Sequence, residues 1–220
     1  MSSRPTLIAM DMEGVFTPEI WIAVAEKTGI EKLRLTTRDI PDYDELMRGR
    51  LQLLREHGLK LRDLQAVIAT LDPLPGAIAF TDWVRERLAL VILTDSYYEF
   101  VGPLKAKLHH PTLFCNTLVV DENNHIVDYR LRQKDGKKHA AIAFKSLGFR
   151  VIGVGDSYND VSMLKAADHG ILFRPSANVA AEFPQFPAIR EYAALQDAIS
   201  AILCCDSIEQ GGCGANPPPR

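Results

Sequence analysis

Residues 6–14 have the sequence TLIAMDMEG, in which a short apolar run ends at an acidic residue. Two further runs have the same form: LALVIL, residues 88–93, precedes Thr94, and RVIGVG, residues 150–155, precedes Asp156. Unalternating runs rich in Val, Ile and Leu are typical of parallel strands that are covered on both faces. The three runs therefore predict a parallel sheet with a polar side chain at the carboxyl end of each strand.

Stretches with a helical period separate these strands. Apolar side chains recur at helical spacing in residues 76–87 and 138–147. A weaker strand candidate lies at residues 170–173, and residues 114–131 enclose the turn-rich sequence DENNH between two apolar segments, which predicts a β-hairpin. The alternation of strands and helices predicts an α/β fold with a doubly wound parallel sheet and a Rossmann-like core.

A helical insertion interrupts this predicted core. From residue 18 to residue 75 apolar side chains recur at helical spacing with no strand-like run. This stretch of about 60 residues is several times longer than one crossover connection needs. We therefore predict a core domain of residues 1–17 and 76–203 and a helical cap of residues 18–75. The tail 204–220 is rich in Gly and Pro, which predicts disorder.

Composition and charge narrow the classes of function. The 220 residues are 47% hydrophobic and 24% charged, as in folded globular domains, and a net charge of −3 provides no overall positive field for nucleic acid or lipid. The N-terminal sequence has no apolar run long enough for a signal peptide or a membrane span. We expect a cytoplasmic protein without nucleic-acid or membrane partners. The four cysteines and six histidines lack the spacing of a zinc site.

Two acidic motifs mark the candidate site. In an open α/β sheet, ligands bind beyond the carboxyl ends of the strands. There Asp11 and Glu13 lie two residues apart before a glycine, which suits a nucleophile and an acid/base. The sequence GDSYND adds Asp156 and Asp160, whose oxygens suit Mg²⁺, although helix capping is an alternative role for Asp160. Tyr158 occupies the third glycine position of a dinucleotide-binding fingerprint, which excludes that motif.

Two further groups suit a phosphoryl ligand. The hydroxyl of Thr94 at a strand end can donate to a phosphoryl oxygen, and a lysine of the cluster Lys134, Lys137 and Lys138 can offset phosphoryl charge. Each feature alone is commonplace, since most lysine clusters lie on solvated surfaces.

The order Asp-x-Glu-Gly, Thr, Lys and Gly-Asp-x-x-x-Asp resembles the haloacid dehalogenase (HAD) phosphatase superfamily. Within it the chain is similar to the phosphoserine phosphatase group, from about residue 6 to about residue 192, in segments such as DMEGVFTPEIWIAVAEKTGI, TTRDIPDYDELM, VILTDSYYEF, LRQKDGKKHAAIAFKSL and VGDSYND. The resemblance implies a HAD-like core with a C1-type helical cap, Mg²⁺ as the cofactor and O-phosphoserine as the substrate. It also implies water or homoserine as the phosphoryl acceptor and a role in serine and threonine metabolism.

The resemblance also implies catalytic roles. Asp11 would form an aspartyl-phosphate, and Glu13 would protonate the departing oxygen and later activate the acceptor. Thr94 and a lysine would hold the phosphoryl group, with Lys137 as the preferred lysine and Lys134 as the alternative.

The remaining implied roles concern the substrate and the metal. Glu19 would bind the ammonium group, and Arg50 would bind the carboxylate, which a planar guanidinium matches. Asp95 stands where many phosphoserine phosphatases have glycine and would line the phosphate pocket. The implied metal ligands are the Asp11 carboxylate, the Glu13 backbone carbonyl and Asp156, with Asp160 in support.

Glu13 departs from the family pattern, because most HAD phosphatases have aspartate there. Our hypothesis is that its extra methylene slows hydrolysis of the aspartyl-phosphate and lets a hydroxyl acceptor compete. Two other functions stay open: a HAD phosphatase for another small phosphomonoester, and a non-enzymatic phospho-sensing α/β domain, which the insertion disfavours. A homodimer is compatible with the sequence.

Overall fold

One mixed sheet organises residues 4–37, 39–40 and 42–209, which are those that this computed structural model describes. Its strands are β1 (Thr6–Met10), β2 (Ala89–Tyr97), β3 (Thr112–Val120), β4 (Ile126–Arg130), β5 (Arg150–Gly155), β6 (His169–Phe173) and β7 (Ala188–Ile189). The strand order is β4-β3-β2-β1-β5-β6-β7, and only the β3–β4 pair is antiparallel. The prediction of an α/β fold with a largely parallel sheet is confirmed.

Helices lie on both sides of this sheet. They are α1 (Ile20–Thr28), α2 (Tyr43–Glu56), α3 (Leu61–Ala69), α4 (Ala77–Arg85), α5 (Tyr98–Lys107), α6 (Gly136–Ser146), α7 (Val161–Ala166), α8 (Ala177–Glu182) and α9 (Tyr192–Glu209). Across the described ranges, none of the helices has the length and apolar character needed to cross a membrane.

The two central strands, β1 and β5, are buried along their whole length. In β1, Ile8 and Met10 pack into one apolar cluster, and Leu7 and Ala9 pack into a second cluster on the opposite face. Because both faces are covered, both sets of alternating positions are apolar, which explains the unbroken apolar run in the sequence.

The insertion between β1 and α4 consists of α1, a short 3-10 helix (Glu31–Arg34), α2 and α3, with no strand in its described residues. Helix α3 packs against α5, and α2 packs against β4. The insertion and the sheet share one apolar cluster, to which Trp21, Met47 and Phe100 belong. The location of the helices agrees with the expected cap, and the division into two domains stays a prediction.

Two boundaries differ from expectation. Strand β2 continues past Thr94 to Tyr97, and its pairing with β3 shifts register between Leu93 and Tyr97, so Thr94 lies at a break in the ladder and not at the strand end. The predicted hairpin is confirmed by the antiparallel pairing of β3 with β4, and it extends the main sheet because β3 also pairs with β2. Helix α9 reaches Glu209, beyond the predicted start of a disordered tail at 204, since no Gly or Pro interrupts the chain before residue 211. Residues 210–220 of that predicted tail lie outside the described residues.

Candidate active site

The sheet brings two of the predicted carboxylates together. Asp11 follows β1 and Asp156 follows β5, and these strands are neighbours with Met10 paired to Val154. The backbone N–H of Asp11 donates to the Val154 carbonyl at 2.9 Å. Both carboxylates are buried at the carboxyl edge of the sheet. We call this group of buried acidic side chains, together with Asp160, the acidic floor.

Lys137, in the first turn of α6, lies at the centre of this floor. Its Nζ is 2.9 Å from Asp11 Oδ1, 2.8 Å from Asp160 Oδ1 and 3.5 Å from Asp95 Oδ2. The alternative lysine, Lys134, is exposed and does not line the cavity that contains Asp11. The structure therefore associates Lys137, and not Lys134, with the proposed nucleophile.

Asp160 holds the loop after β5 in place. Its Oδ1 accepts from Lys137, and its Oδ2 accepts from the backbone N–H groups of Asp156 and Ser157 at 3.0 and 3.1 Å. The side chain has no exposed surface. Gly155 is required beside it, because a Cβ there would clash with Asp160 Cγ. Asp160 thus stabilises the backbone of the loop that follows β5.

The acidic floor contains more carboxyl groups than ammonium groups. Burial, followed by repulsion from Asp160, raises the pKa of Asp11 well above its usual value, and the same two causes raise the pKa of Asp156 to about 7. Burial alone would lower the pKa of Lys137, but the neighbouring carboxylates, led by Asp11, hold it well above its usual value. One ammonium group among several carboxylates leaves charge for a cation to compensate.

The donor set fits a hard divalent cation. One oxygen from each of Asp11, Asp156 and Asp160 lies within 4.8 Å of the others. Gly14, with φ of +75°, lies against this group, and a Cβ there would be 2.5 Å from Asp156 Oδ2. Oxygen-only ligands with excess negative charge suit Mg²⁺.

The side-chain carboxyl group of Glu13 keeps its proton near neutral pH. Its Oε2 accepts from the Ile20 backbone N–H at 2.8 Å, at the start of α1. Burial and, next, repulsion from Glu19 raise the pKa of Glu13 to about 8, although the hydrogen bond from Ile20, the charge of Arg50 and the Ser96 hydroxyl oppose the shift. At neutral pH this side chain can donate a proton to a departing group.

A cavity of about 430 Å³ lies between the acidic floor and the helical insertion. The predicted residues Asp11, Glu13, Glu19, Arg50, Thr94, Asp95, Lys137 and Asp156 line it. Thr94 is buried, and its Oγ1 accepts from the Ser96 backbone N–H at 3.1 Å. The predicted groups thus share one cavity, with the exception of Asp160, which lies beneath it.

Arg50 is the buried cation on the insertion side. It is 7% exposed, its guanidinium carbon lies 4.6 Å from the centre of the Trp21 ring, and its Nη2 donates to the Leu35 carbonyl at 2.7 Å. Its Nε is buried without a hydrogen-bond partner among the described atoms. The neighbouring Arg48 instead pairs with Asp128 at 2.8 Å on the surface. Arg50 therefore has donor capacity left for a ligand.

Several residues of the cavity were not identified from the sequence. The Tyr43 hydroxyl lies 2.8 Å from the Tyr97 hydroxyl and donates to the Asp95 carbonyl at 3.3 Å, which joins α2 to β2. Asn159 Nδ2 donates to Asp95 Oδ2 at 2.9 Å. Trp21 and Arg174 also line the cavity. No local pattern marks these residues, because each acts through contacts distant in sequence.

Known proteins resemble the chain in sequence and in fold. "Phosphoserine phosphatase" of Pseudomonas syringae pv. tomato is 60% identical over 186 residues, which cover 84% of this chain and 78% of the relative. "Phosphoserine phosphatase ThrH" of Pseudomonas aeruginosa is 59% identical over 186 residues, covering 84% of this chain and 91% of the relative. A solved structure of phosphoserine phosphatase in apo form has a TM-score of 0.71 at 21% identity, covers 86% of this chain and 94% of its own, and supports the fold.

A family model covers most of the same region. The model described as haloacid dehalogenase-like hydrolase matches residues 5–168, which include Asp11, Thr94, Lys137 and the acidic motif after β5. With this match and the two Pseudomonas relatives, the chain belongs to the haloacid dehalogenase-like hydrolase family.

Proposed function

We propose that this chain is a Mg²⁺-dependent phosphatase for O-phosphoserine, which passes the phosphoryl group through Asp11 to water or to homoserine. One observation carries the proposal: a buried carboxylate held by Lys137 and a buried, incompletely bonded Arg50 line the same cavity. The first can form a covalent intermediate, and the second can bind a carboxylate located a few atoms from the phosphate. The printed names of the two Pseudomonas relatives support this substrate.

In the first step, an Asp11 carboxylate oxygen attacks phosphorus while the bond between phosphorus and the seryl oxygen breaks. Glu13 gives its proton to the departing seryl oxygen, since burial raises its pKa to about 8. Lys137 and the Thr94 hydroxyl hold the phosphoryl oxygens, and the ammonium group of Lys137 offsets the negative charge that develops on them. The products are an aspartyl-phosphate and serine.

In the second step, the Glu13 carboxylate takes a proton from the acceptor hydroxyl as the acceptor oxygen attacks phosphorus. The bond between phosphorus and Asp11 breaks, and the Asp11 carboxylate is regenerated. Water as the acceptor gives inorganic phosphate, and homoserine gives phosphohomoserine. A displacement of about 1 Å in a catalytic group can cost roughly 10²-fold in rate, so the longer side chain of Glu13 can hold back the reaction with water.

Mg²⁺ would be held by the carboxylates of Asp11 and Asp156 and by the Glu13 backbone carbonyl. When bound, the ion supplies positive charge that reduces repulsion between the phosphate and the carboxylates. Asp160 supports this site through its neighbours, because both of its oxygens already accept hydrogen bonds. The excess of buried carboxylates over lysine supports a divalent cation here.

The amino-acid part of the substrate would be recognised from the insertion. Arg50 would bind the carboxylate through its unpartnered Nε–H, and Glu19 would bind the ammonium group. A phosphomonoester without an amino-acid head would gain nothing from these two residues. Comparing O-phosphoserine with such a phosphomonoester therefore tests the alternative that the substrate is another small phosphomonoester.

The central experiment incubates the purified protein with Mg²⁺ and O-phosphoserine, with and without homoserine, and measures phosphate and phosphohomoserine. We expect both products when homoserine is present, neither product in Asp11→Asn, and a loss of phosphoserine turnover in Arg50→Gln that exceeds the loss for p-nitrophenyl phosphate. Full activity in Asp11→Asn, or no turnover with either acceptor, contradicts the proposal.

A separate variant tests the role assigned to the length of Glu13. Glu13→Asp should increase the share of inorganic phosphate over phosphohomoserine at a fixed homoserine concentration. An unchanged product ratio at measurable activity would overturn that role while leaving the phosphatase assignment intact.

A cytoplasmic location, a role in serine and threonine metabolism and a homodimer complete the proposal. Cell fractionation tests the location. Light scattering after size exclusion tests the assembly, since a dimer has twice the 24.5 kDa mass of the chain.

A further inference from the structure

Arg174 is a third cation on the wall of the catalytic cavity, besides Lys137 and Arg50. It follows β6, which is the neighbour of β5 with Leu172 paired to Gly155. The topology of the sheet therefore places Arg174 beside the acidic motif, at the edge where ligands of such sheets bind.

The backbone of Arg174 is held in an uncommon conformation. Its φ is +53°, in the left-handed region that favours glycine, and its N–H donates to the Ile189 carbonyl at 2.7 Å. An arginine at this position, which lines the cavity, therefore costs conformational energy that a glycine would not.

The guanidinium group is also fixed in orientation. Its central carbon lies 4.8 Å from the ring centres of both Phe173 and Tyr192, and its Nε donates to the Arg190 carbonyl at 2.9 Å. Within the described part of the chain, Arg174 forms no ion pair with a carboxylate, whereas Lys137 contacts three. Its charge is therefore available to an anionic ligand, and the aromatic contacts reduce the ordering cost of binding.

We propose that Arg174 is a further specificity-determining residue, whose guanidinium binds the carboxylate of the amino acid in the catalytic cavity. The inference rests on the proposed function. Lys137 and Thr94 serve the phosphoryl group, so the remaining anionic group of O-phosphoserine is its carboxylate. Arg50 already donates to the Leu35 carbonyl, and a carboxylate with two oxygens can accept from a second arginine.

Calorimetric binding to Asp11→Asn tests this role without turnover. The paired ligands are O-phosphoserine and O-phosphoethanolamine, which differ in the carboxylate alone. Adding Arg174→Gln should weaken the binding of O-phosphoserine by about 10- to 100-fold and change that of O-phosphoethanolamine by less than about twofold. Arg174→Lys should lie between, because it keeps the charge and loses the planar donor pair.

Arg190→Gln is the matched control for damage to the loop. Arg190 Nη2 donates to the Pro175 carbonyl at 3.2 Å, and the side chain does not line the cavity. We expect this variant, in the same Asp11→Asn background, to keep the preference for O-phosphoserine. Equal weakening of both ligands in Arg174→Gln, or the same loss of preference in Arg190→Gln, would assign Arg174 to structural support and overturn the proposal.

The outcome also separates this inference from the proposed function. A parent Asp11→Asn protein that binds neither ligand contradicts the proposed function, and the role of Arg174 falls with it. A parent that binds O-phosphoserine, combined with an Arg174→Gln variant that binds it equally well, contradicts the role of Arg174 alone.

Discussion

Replacing Lys137 by methionine would leave the acidic floor without its buried ammonium group. Lys137 Nζ lies within 3 Å of both Asp11 and Asp160, and all three side chains are buried. Methionine fills a similar volume, so the change removes the charge while it leaves little new space. Two carboxylates then lose their partner at once.

The expected effect on stability is large. At an effective dielectric constant of about 20, each contact near 3 Å corresponds to roughly 5 kcal/mol of Coulomb energy, much of which the burial of the charges offsets. Removal of one partner of a buried pair typically costs about 3–5 kcal/mol. For a chain of this size we expect the midpoint of thermal unfolding to fall by roughly 10 °C.

The loss should depend on pH in the metal-free protein. Burial raises the pKa of Asp156 to about 7 and that of Asp11 above its usual range, so the folded state binds more protons than the unfolded state as pH falls through these values. Folding of this cluster therefore becomes more favourable toward low pH. The deficit of Lys137→Met should be greater near pH 8.5, which is above the pKa of Asp156, than near pH 5.5.

The assay is thermal unfolding in a chelator at both pH values, followed by turnover with Mg²⁺. Lys134→Met is the matched control, because Lys134 is exposed three residues earlier. We expect the control to keep its stability and activity, and Lys137→Met to lose roughly 10²–10³-fold in kcat. Equal midpoints for the two variants at pH 8.5, or equal activities, would refute the reasoning.

Three other predictions test the structure. Gly14→Ala should raise the Mg²⁺ concentration for half-maximal activity by about tenfold or more, because its methyl group would lie 2.5 Å from a carboxylate oxygen of Asp156. Gly148→Ala is the control: the space around Gly148 is open, so the change should cost only about 1–2 kcal/mol of stability. Tyr43→Phe should lower the free energy of unfolding in urea by about 1–3 kcal/mol, since it leaves the buried Tyr97 hydroxyl without its partner, and Tyr97→Phe in the same chain should recover part of the loss. Burial raises the pKa of Cys115 to about 12, so a thiol reagent at about pH 8 should modify it only on unfolding. Because Cys204 is exposed, modification is assigned by peptide mapping, and rapid modification of Cys115 itself in the native protein would contradict this.

The sheet and its acidic edge could be predicted because burial on both faces marks the sequence directly. Strands β1 and β5 are unbroken apolar runs, and a parallel arrangement requires their carboxyl ends to meet. Asp11 and Asp156 follow those ends, so their proximity is a consequence of topology. The family resemblance favours Lys137 over Lys134, and only the structure shows the contact of Lys137 Nζ with Asp11 Oδ1 at 2.9 Å.

Contacts between the insertion and the sheet could not be predicted from local patterns. Tyr43 and Tyr97 are 54 residues apart, and neither hydrophobic periodicity nor turn chemistry records such a pair. The apolar run stops at Leu93, which predicts a strand end at Thr94, yet β2 continues beyond a shift in register. The left-handed backbone of Arg174 could not be predicted either, since that conformation favours glycine.

The apolar cluster that the insertion shares with the sheet limits how substrates can reach the cavity. A rigid lift of the insertion that exposed about 200 Å² of apolar surface would cost roughly 5 kcal/mol and occur in roughly one molecule in several thousand. Such rare opening would slow ligand exchange by the same factor. We therefore expect ligands to pass through small movements of lining residues such as Tyr43, which donates to the Asp95 carbonyl, while the interior of the insertion stays packed during each turnover.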